Sequence, residues 1–190
     1  MNVNVAHLEA QIRRFHKATV VLAEKASNSQ IDQMKYFPII IGKTPNILVA
    51  TSSIGEPDSD FYTPYIVNAT FSLEILLKAI IYYETKVWET GHNLVKLYEN
   101  ISTPVKREAN DSFKKLCDAN KDFKEIKRHA KEILGHELKL NLTNLLLCSS
   151  RAFETWRYAF DDNSKNVCFF GYGDAFDVLW DAKEKIRPNL

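Results

Sequence analysis

Glu74 and Lys78 stand four apart in the middle of the most apolar stretch of the chain, residues 65–84 (YIVNATFSLEILLKAIIYYE). That order, acid before base, favours an ion pair along a helix, and a buried charge is tolerated only when it is paired or hydrogen-bonded. Further polar groups are expected to meet them, and three sets of residues have the types and spacing for it. His92 heads the segment GHNLVKLY, where an imidazole could cap a helix or bond a neighbouring one. In residues 150–160 (SRAFETWRYAF), Arg151, Glu154 and Arg157 are each three apart, so a carboxylate lies between two guanidiniums on one diagonal of a helix. This is either a surface ladder of small energetic worth or, with Arg157 turned inward between Trp156 and Tyr158, a bidentate partner for Glu74. Glu125, His129, Glu132 and His136 have the one-face spacing of a metal site. Their surroundings, KDFKEIKRHAKEILGHELK, are those of a solvated helix, and no metal is expected there.

No nucleophile and base can be paired from the sequence: Cys117 and Cys148 fall on or beside apolar stripes, and no serine sits in a G-x-S-x-G turn. Tyr82, Tyr83, Trp88, Trp156 and Tyr158 interleave with Lys78, Lys86, Lys96 and Arg157. Rings beside cations form a stacking surface for a nucleotide or a single strand, although aromatics at helical spacing also build cores.

The elements that would position these residues are helical. Leu8, Ile12, Phe15, Ala18, Thr19 and Leu22 give residues 6–26 one apolar face. Residues 30–37 read as a short helix ended by Pro38. Residues 65–84 are apolar nearly all round, the pattern of a helix inside a bundle, with Pro64 in its first turn and Thr63 as cap. Helices follow over 93–100, over 105–119 with Val105, Ala109, Phe113 and Leu116 on one face, and over 121–134. A longer one spans 140–160, with the stripe Leu142, Leu145, Leu146, Ser149, Ala152, Phe153, Trp156 and Phe160. A short apolar segment, a turn at Gly171 to Gly173 and a helix over 174–186 end the chain. Residues 38–64 break the pattern, and their two β-branched runs around GKTPN suggest an irregular loop or a small hairpin. Gly42-Lys43-Thr44 fails as a phosphate loop, because Phe37 replaces the first glycine and Pro45 blocks the helix that must follow. The expectation is one domain over 1–190, an all-α up-and-down bundle with an insertion at about 38–64.

Composition narrows the function. A net charge of +1 gives no global basic footprint, so nucleic acid would be met by a local patch. The three cysteines, Cys117, Cys148 and Cys168, lack CxxC spacing and read as reduced thiols. The N-terminus carries charges where a secretion signal needs an apolar run, and no stretch reaches about 18 uninterrupted apolar residues. A cytoplasmic protein without membrane contact is expected.

Asn68-Ala-Thr-Phe-Ser-Leu-Glu74-Ile-Leu-Leu-Lys78-Ala, then Gly91-His92-Asn93-Leu94 with Leu97, then FETWRY (Phe153 to Tyr158), together resemble the scattered signature of HEPN domains, the nucleotide-binding helical bundles of higher eukaryotes and prokaryotes. The resemblance covers about 65–190. It implies a bundle that often forms homodimers through the signature helices, with a polar site in the cleft between them. Many members are metal-independent ribonucleases of toxin–antitoxin and other defence systems, and others bind RNA or partner proteins without catalysis. No cofactor is implied. The nuclease motif, an Arg followed after four to six residues by His, is missing: Arg157 stands where Arg151 would need its His, and Arg128 precedes His136 by eight. Cleavage through a 2′-hydroxyl calls for a proton acceptor and donor near neutral pH, which Arg does not supply. The leading expectation is therefore a module that binds RNA, a nucleotide or a partner, with Glu74, Lys78, His92, Glu154, Arg157 and Tyr158 as its polar cluster. The alternatives are a ribonuclease using Arg151, Arg157 and His92, and a pure interaction module whose protein partner engages the 38–64 insertion.

Overall fold

The computed structural model describes residues 3–27, 39–43, 46–50, 59–119, 127–128, 131–132, 135–137, 139–150, 167–169 and 171–187. Helix dominates them: α1 (Val5–Ser27), α2 (Tyr62–Thr85), α3 (Leu94–Glu99), α4 (Thr103–Ala119), α5 (Leu142–Ser150) and α6 (Tyr172–Ile186). The class is all-α, as the periodicity predicts, with one small sheet added. Strands β1 (Ile39–Lys43) and β2 (Asn46–Ala50) form the anticipated antiparallel hairpin, closed by the pair Lys43 and Asn46. Strand β3 (Val167–Phe169) joins the other edge of β1, giving the order β2-β1-β3. Gly42 and Lys43 thus lie in a strand and do not lead into a helix. The third strand is not legible in sequence, because three apolar residues carry no period of their own. The expected helix over 30–37 and residues 151–160 of the expected long helix lie outside the described residues.

Helix α2 is the centre of the packing, and α4 lies outside it, on α5 and α6. Helices α1, α3 and α6 pack against it, and one core runs from Leu8 in α1 to Ala182 in α6. Ile66, Ala69, Leu73, Leu76, Leu77 and Ile80 are fully buried. By length and composition α2 could cross a bilayer, yet 72% of that apolar window is buried inside the protein. Pro64, Val67, Phe71, Ile75 and Tyr82, which share one face at helical spacing, retain exposure.

Two helix starts differ from expectation. Thr63 is not the cap of α2: a 3-10 turn, Ser59–Phe61, leads in, Phe61 takes the cap position without a side-chain bond, and Thr63 and Pro64 lie in the first turn. There the missing proline N–H costs nothing. At the other end of the chain, the expected turn at Gly171 to Gly173 is shorter, and α6 begins at Tyr172. Buried Tyr172 fixes that start, since its hydroxyl donates to Ser72 Oγ at 3.0 Å and meets His16 Nδ1 at 3.0 Å. Gly171 turns the chain at φ 61°, and a Cβ there would lie 3.2 Å from Leu145 Cδ1 and 3.4 Å from Phe113 Cζ.

A charge network with a buried centre at Glu9 and Lys183 joins the ends of three helices. Glu9 of α1 accepts from Tyr83 Oη of α2 at 2.6 Å and from Lys183 Nζ of α6 at 2.9 Å on Oε1, and from Arg13 at 3.0 Å on Oε2. Lys183 is fully buried, and its ammonium lies 3.4 Å from the centre of the Trp180 ring. Burial opposes the charge on Glu9, but the Tyr83 and Lys183 hydrogen bonds with the Lys183 and Arg187 charges outweigh it and hold the carboxyl below its ordinary value of 4.5. Because the folded value is depressed, this stabilisation is complete above pH 4.5 and is lost as pH falls through the folded value. Chemical denaturation across pH 3 to 7 is expected to show the stability falling on the acid side, with a shallower fall in Glu9→Gln; equal slopes would remove Glu9 from the acid response. Gly171→Ala, which meets both a left-handed backbone and the Leu145 and Phe113 side chains, is expected to cost about 1–2 kcal/mol in the same measurement.

Candidate functional site

The polar pair at the middle of α2 is buried. Glu74 and Lys78 keep only 9% and 7% of their side-chain surface, and Lys78 Nζ donates to Glu74 Oε1 at 2.8 Å. The same oxygen meets His92 Nδ1 at 2.9 Å. An ionised carboxylate only accepts, so His92 carries its hydrogen on Nδ1 and presents Nε2 as the other polar atom of the ring. The His92 side chain is 78% exposed, so the cluster passes from a buried ion pair to a solvent-facing imidazole within one carboxylate.

Local chain geometry brings His92 back to a residue eighteen positions earlier. The Thr85 hydroxyl donates to the Ile81 carbonyl at 2.8 Å and accepts from the Val87 N–H at 3.1 Å, drawing bonds away from the helix ladder. Lys86 then adopts φ 61° while its N–H bonds the Tyr82 carbonyl at 2.9 Å, which ends α2 and reverses the chain. Residues 87–93 return along the flank of α2 until Asn93, whose side chain accepts from Lys96 N at 3.0 Å, starts α3. The return is pinned where Asn100 donates to Glu89 at 3.2 Å and Ser102 N donates to Glu84 at 3.0 Å.

That connector also delivers an aromatic surface. Trp88 lies edge-on to Tyr82, with centroids 6.4 Å apart; Lys78 Nζ is 6.0 Å from the Trp88 centroid, and Lys86 Nζ is 5.9 Å from that of Tyr82. Two rings, the exposed Lys86 and one imidazole thus share a surface on one side of α2, with the Lys78 ammonium buried beside Trp88. The chemistry available is ring stacking, contact with an anion, and proton exchange at His92.

Of the residues singled out from sequence, Glu74, Lys78 and His92 are brought together, and Trp88, Tyr82 and Lys86 adjoin them. Tyr83 is drawn instead into the network of Glu9. Arg151, Glu154, Arg157 and Tyr158 lie outside the described residues, as does the expected contact of Arg157 with Glu74. Glu125 and His129 also lie outside them, while Glu132 forms an exposed ion pair with Arg128 at 3.0 Å. Cys117 is buried and reduced, and burial pushes its thiol up to about 12, so it stays protonated near neutral pH. A separate open groove of about 440 Å³ between α3 and α4, lined by Tyr98, Lys106, Arg107, Asn110 and Asp111, contains none of the expected residues.

Sequence reading missed the Glu9, Tyr83 and Lys183 network and the bond from His16 to Tyr172. A signal existed for both: Glu9 adjoins Leu8, and His16 lies four after Ile12, so both border the apolar stripe of α1. Comparison with known protein families, with curated proteins and with solved structures finds no match.

Removing one partner of a buried ion pair leaves an uncompensated charge, whereas replacing both by apolar groups is often neutral. Lys78→Met is therefore expected to cost about 3 kcal/mol in urea unfolding, and Glu74→Leu with Lys78→Met together less than Lys78→Met alone. Additive losses would contradict the coupling.

Proposed function

We propose that this chain is a HEPN-like helical module that binds RNA or a nucleotide through the surface formed by Trp88, Tyr82, Lys86 and His92, in a prokaryotic defence or stress setting. The observation that carries the reading is the pairing of each ring with an ammonium group, Trp88 with Lys78 and Tyr82 with Lys86, beside an imidazole held by Glu74. Rings of this kind accept the face of any base, and the exposed Lys86 ammonium meets phosphate. The sequence resemblance supports the same assignment, because Glu74, Lys78 and His92 are among the residues that carry it.

Binding is favoured over cleavage on chemical grounds. An imidazole oriented through Nδ1 can take a proton at Nε2, but strand scission also needs a donor for the departing oxygen. Lys78, the nearest described cation, already gives a hydrogen bond to the carboxylate that holds His92.

Purified protein incubated without metal with labelled single-stranded and structured RNA is expected to bind and leave the strand intact. Trp88→Ala is expected to weaken binding about tenfold, the loss of one stacked base. Cleavage by the parent protein that disappears in His92→Ala would replace this reading with a ribonuclease. An absence of binding even at low salt would replace it with a protein-interaction module, tested next by deleting residues 38–58.

A further inference from the structure

Helices α3 and α4 are joined by residues 100–102 and rest on different neighbours, α3 on α2 and α5, α4 on α5 and α6. The groove of about 440 Å³ lies between them, with Thr143 of α5 in its lining. Their junction is tied twice. The Tyr98 hydroxyl donates to the Lys106 carbonyl at 3.1 Å, and Lys106 Nζ reaches back to the Glu99 carbonyl at 2.9 Å. These bonds hold the two walls in place without help from a ligand, and the volume falls in the usual range of a small-molecule site.

The charges of the groove come in two pairs of different kinds. Helix α4 turns Lys106, Arg107 and Asp111 toward it at helical spacing. Arg107 and Asp111 stand four apart with the base first, the order that pairs less well along a helix, and among the described residues neither has an ion-pair partner. Lys106 is committed elsewhere: its ammonium closes the last turn of α3 beside Glu99, the acid of the opposite wall, so those two charges offset each other. The groove is therefore neutral as a whole and dipolar along α4, with Val95 and buried Tyr98 as its apolar wall. A polyanion would meet Glu99 and Asp111, and a simple cation would meet Arg107 and Lys106. A small zwitterion with an apolar side chain satisfies the free pair and the apolar wall together.

We infer that this groove binds a free α-amino acid with an aromatic or branched side chain. Its carboxylate takes the fork of Arg107, its ammonium meets Asp111, and its side chain lies on Val95 and Tyr98. Residues four apart on a helix have Cβ atoms about 5–6 Å apart, close enough for the two charged groups of one α-carbon to engage both. The site is separate from the surface of Trp88 and His92 and stands independently of the proposed binding function.

The test is titration of the isotope-labelled protein with L-phenylalanine, followed by the chemical shifts of Val95, Tyr98, Arg107 and Asp111. Binding is expected with a dissociation constant of about 1 mM. Phenylalaninamide, which lacks the carboxylate, and N-acetylphenylalanine, which lacks the ammonium, are each expected to bind at least about tenfold more weakly, the loss of one charge-assisted hydrogen bond. Arg107→Ala is expected to weaken phenylalanine about tenfold and to bind it no better than phenylalaninamide. Asp111→Asn is expected to lose the distinction between phenylalanine and its N-acetyl form instead. Both positions are exposed, so neither change disturbs the core. Equal affinity for the three probes, or no shift at these residues by about 10 mM, would overturn the proposal. Tighter binding of the dipeptide phenylalanylphenylalanine than of phenylalanine would overturn the free amino acid as occupant and assign the groove to a peptide.

Discussion

A helix that is apolar on nearly every side holds its shape in water only when other elements cover it, and α2 imposes that requirement on the rest of this chain. Helices α1, α3 and α6 meet it by laying their own apolar stripes on three sides. Covering α2 also encloses Glu74 and Lys78, which would be costly separately and are tolerated because each satisfies the other. The stop at Thr85 and Lys86 follows from the same need, for it returns the chain along the flank of α2 and brings an imidazole to the carboxylate.

Two buried carboxylates show how differently such a charge can be resolved. Glu9 gathers a phenol, an ammonium and a guanidinium from three helices, and Lys183 is wholly enclosed beside Trp180. That arrangement fixes how the helix ends meet, and it reaches solvent through the guanidinium of Arg13. Glu74 has one partner inside and one outside, so its environment extends to the surface through His92. The functional assignment goes to Glu74 because a ligand can reach its imidazole, while the strength of the Glu9 network belongs to stability.

Much of this arrangement is legible in the sequence where a single period governs it. The stripe of α1, the apolar cylinder of α2 and the run Val105, Ala109, Phe113 each predict a helix and its inner face, and the structure buries most of those positions, leaving Phe15, Leu22 and Ile75 half-buried and Ala18 and Phe71 exposed. The Glu74 and Lys78 pair is legible because charge in an apolar run demands a partner. What the period cannot carry is contact across long separations: Glu9 with Lys183, His16 with Tyr172, and β1 with β3 depend on which faces meet. Local backbone choices are equally silent, as the start of α2 shows, where Thr63 has the right chemistry for a cap but lies inside the first turn. The approach of His92 to Glu74 lies between these cases, since both residues stand out in sequence while the reversal at Lys86 that joins them does not.

The central claim is that the surface formed by Trp88, Tyr82, Lys86 and His92 on the flank of α2 is where this protein meets its ligand. Chemical-shift mapping of the isotope-labelled protein during titration with a short single-stranded oligonucleotide tests it most directly. The account predicts shifts at the Trp88 indole N–H, at Tyr82 and at His92, with the Lys183 and Glu9 region unmoved. Shifts confined to the β1–β2 hairpin or to the groove between α3 and α4 would contradict it.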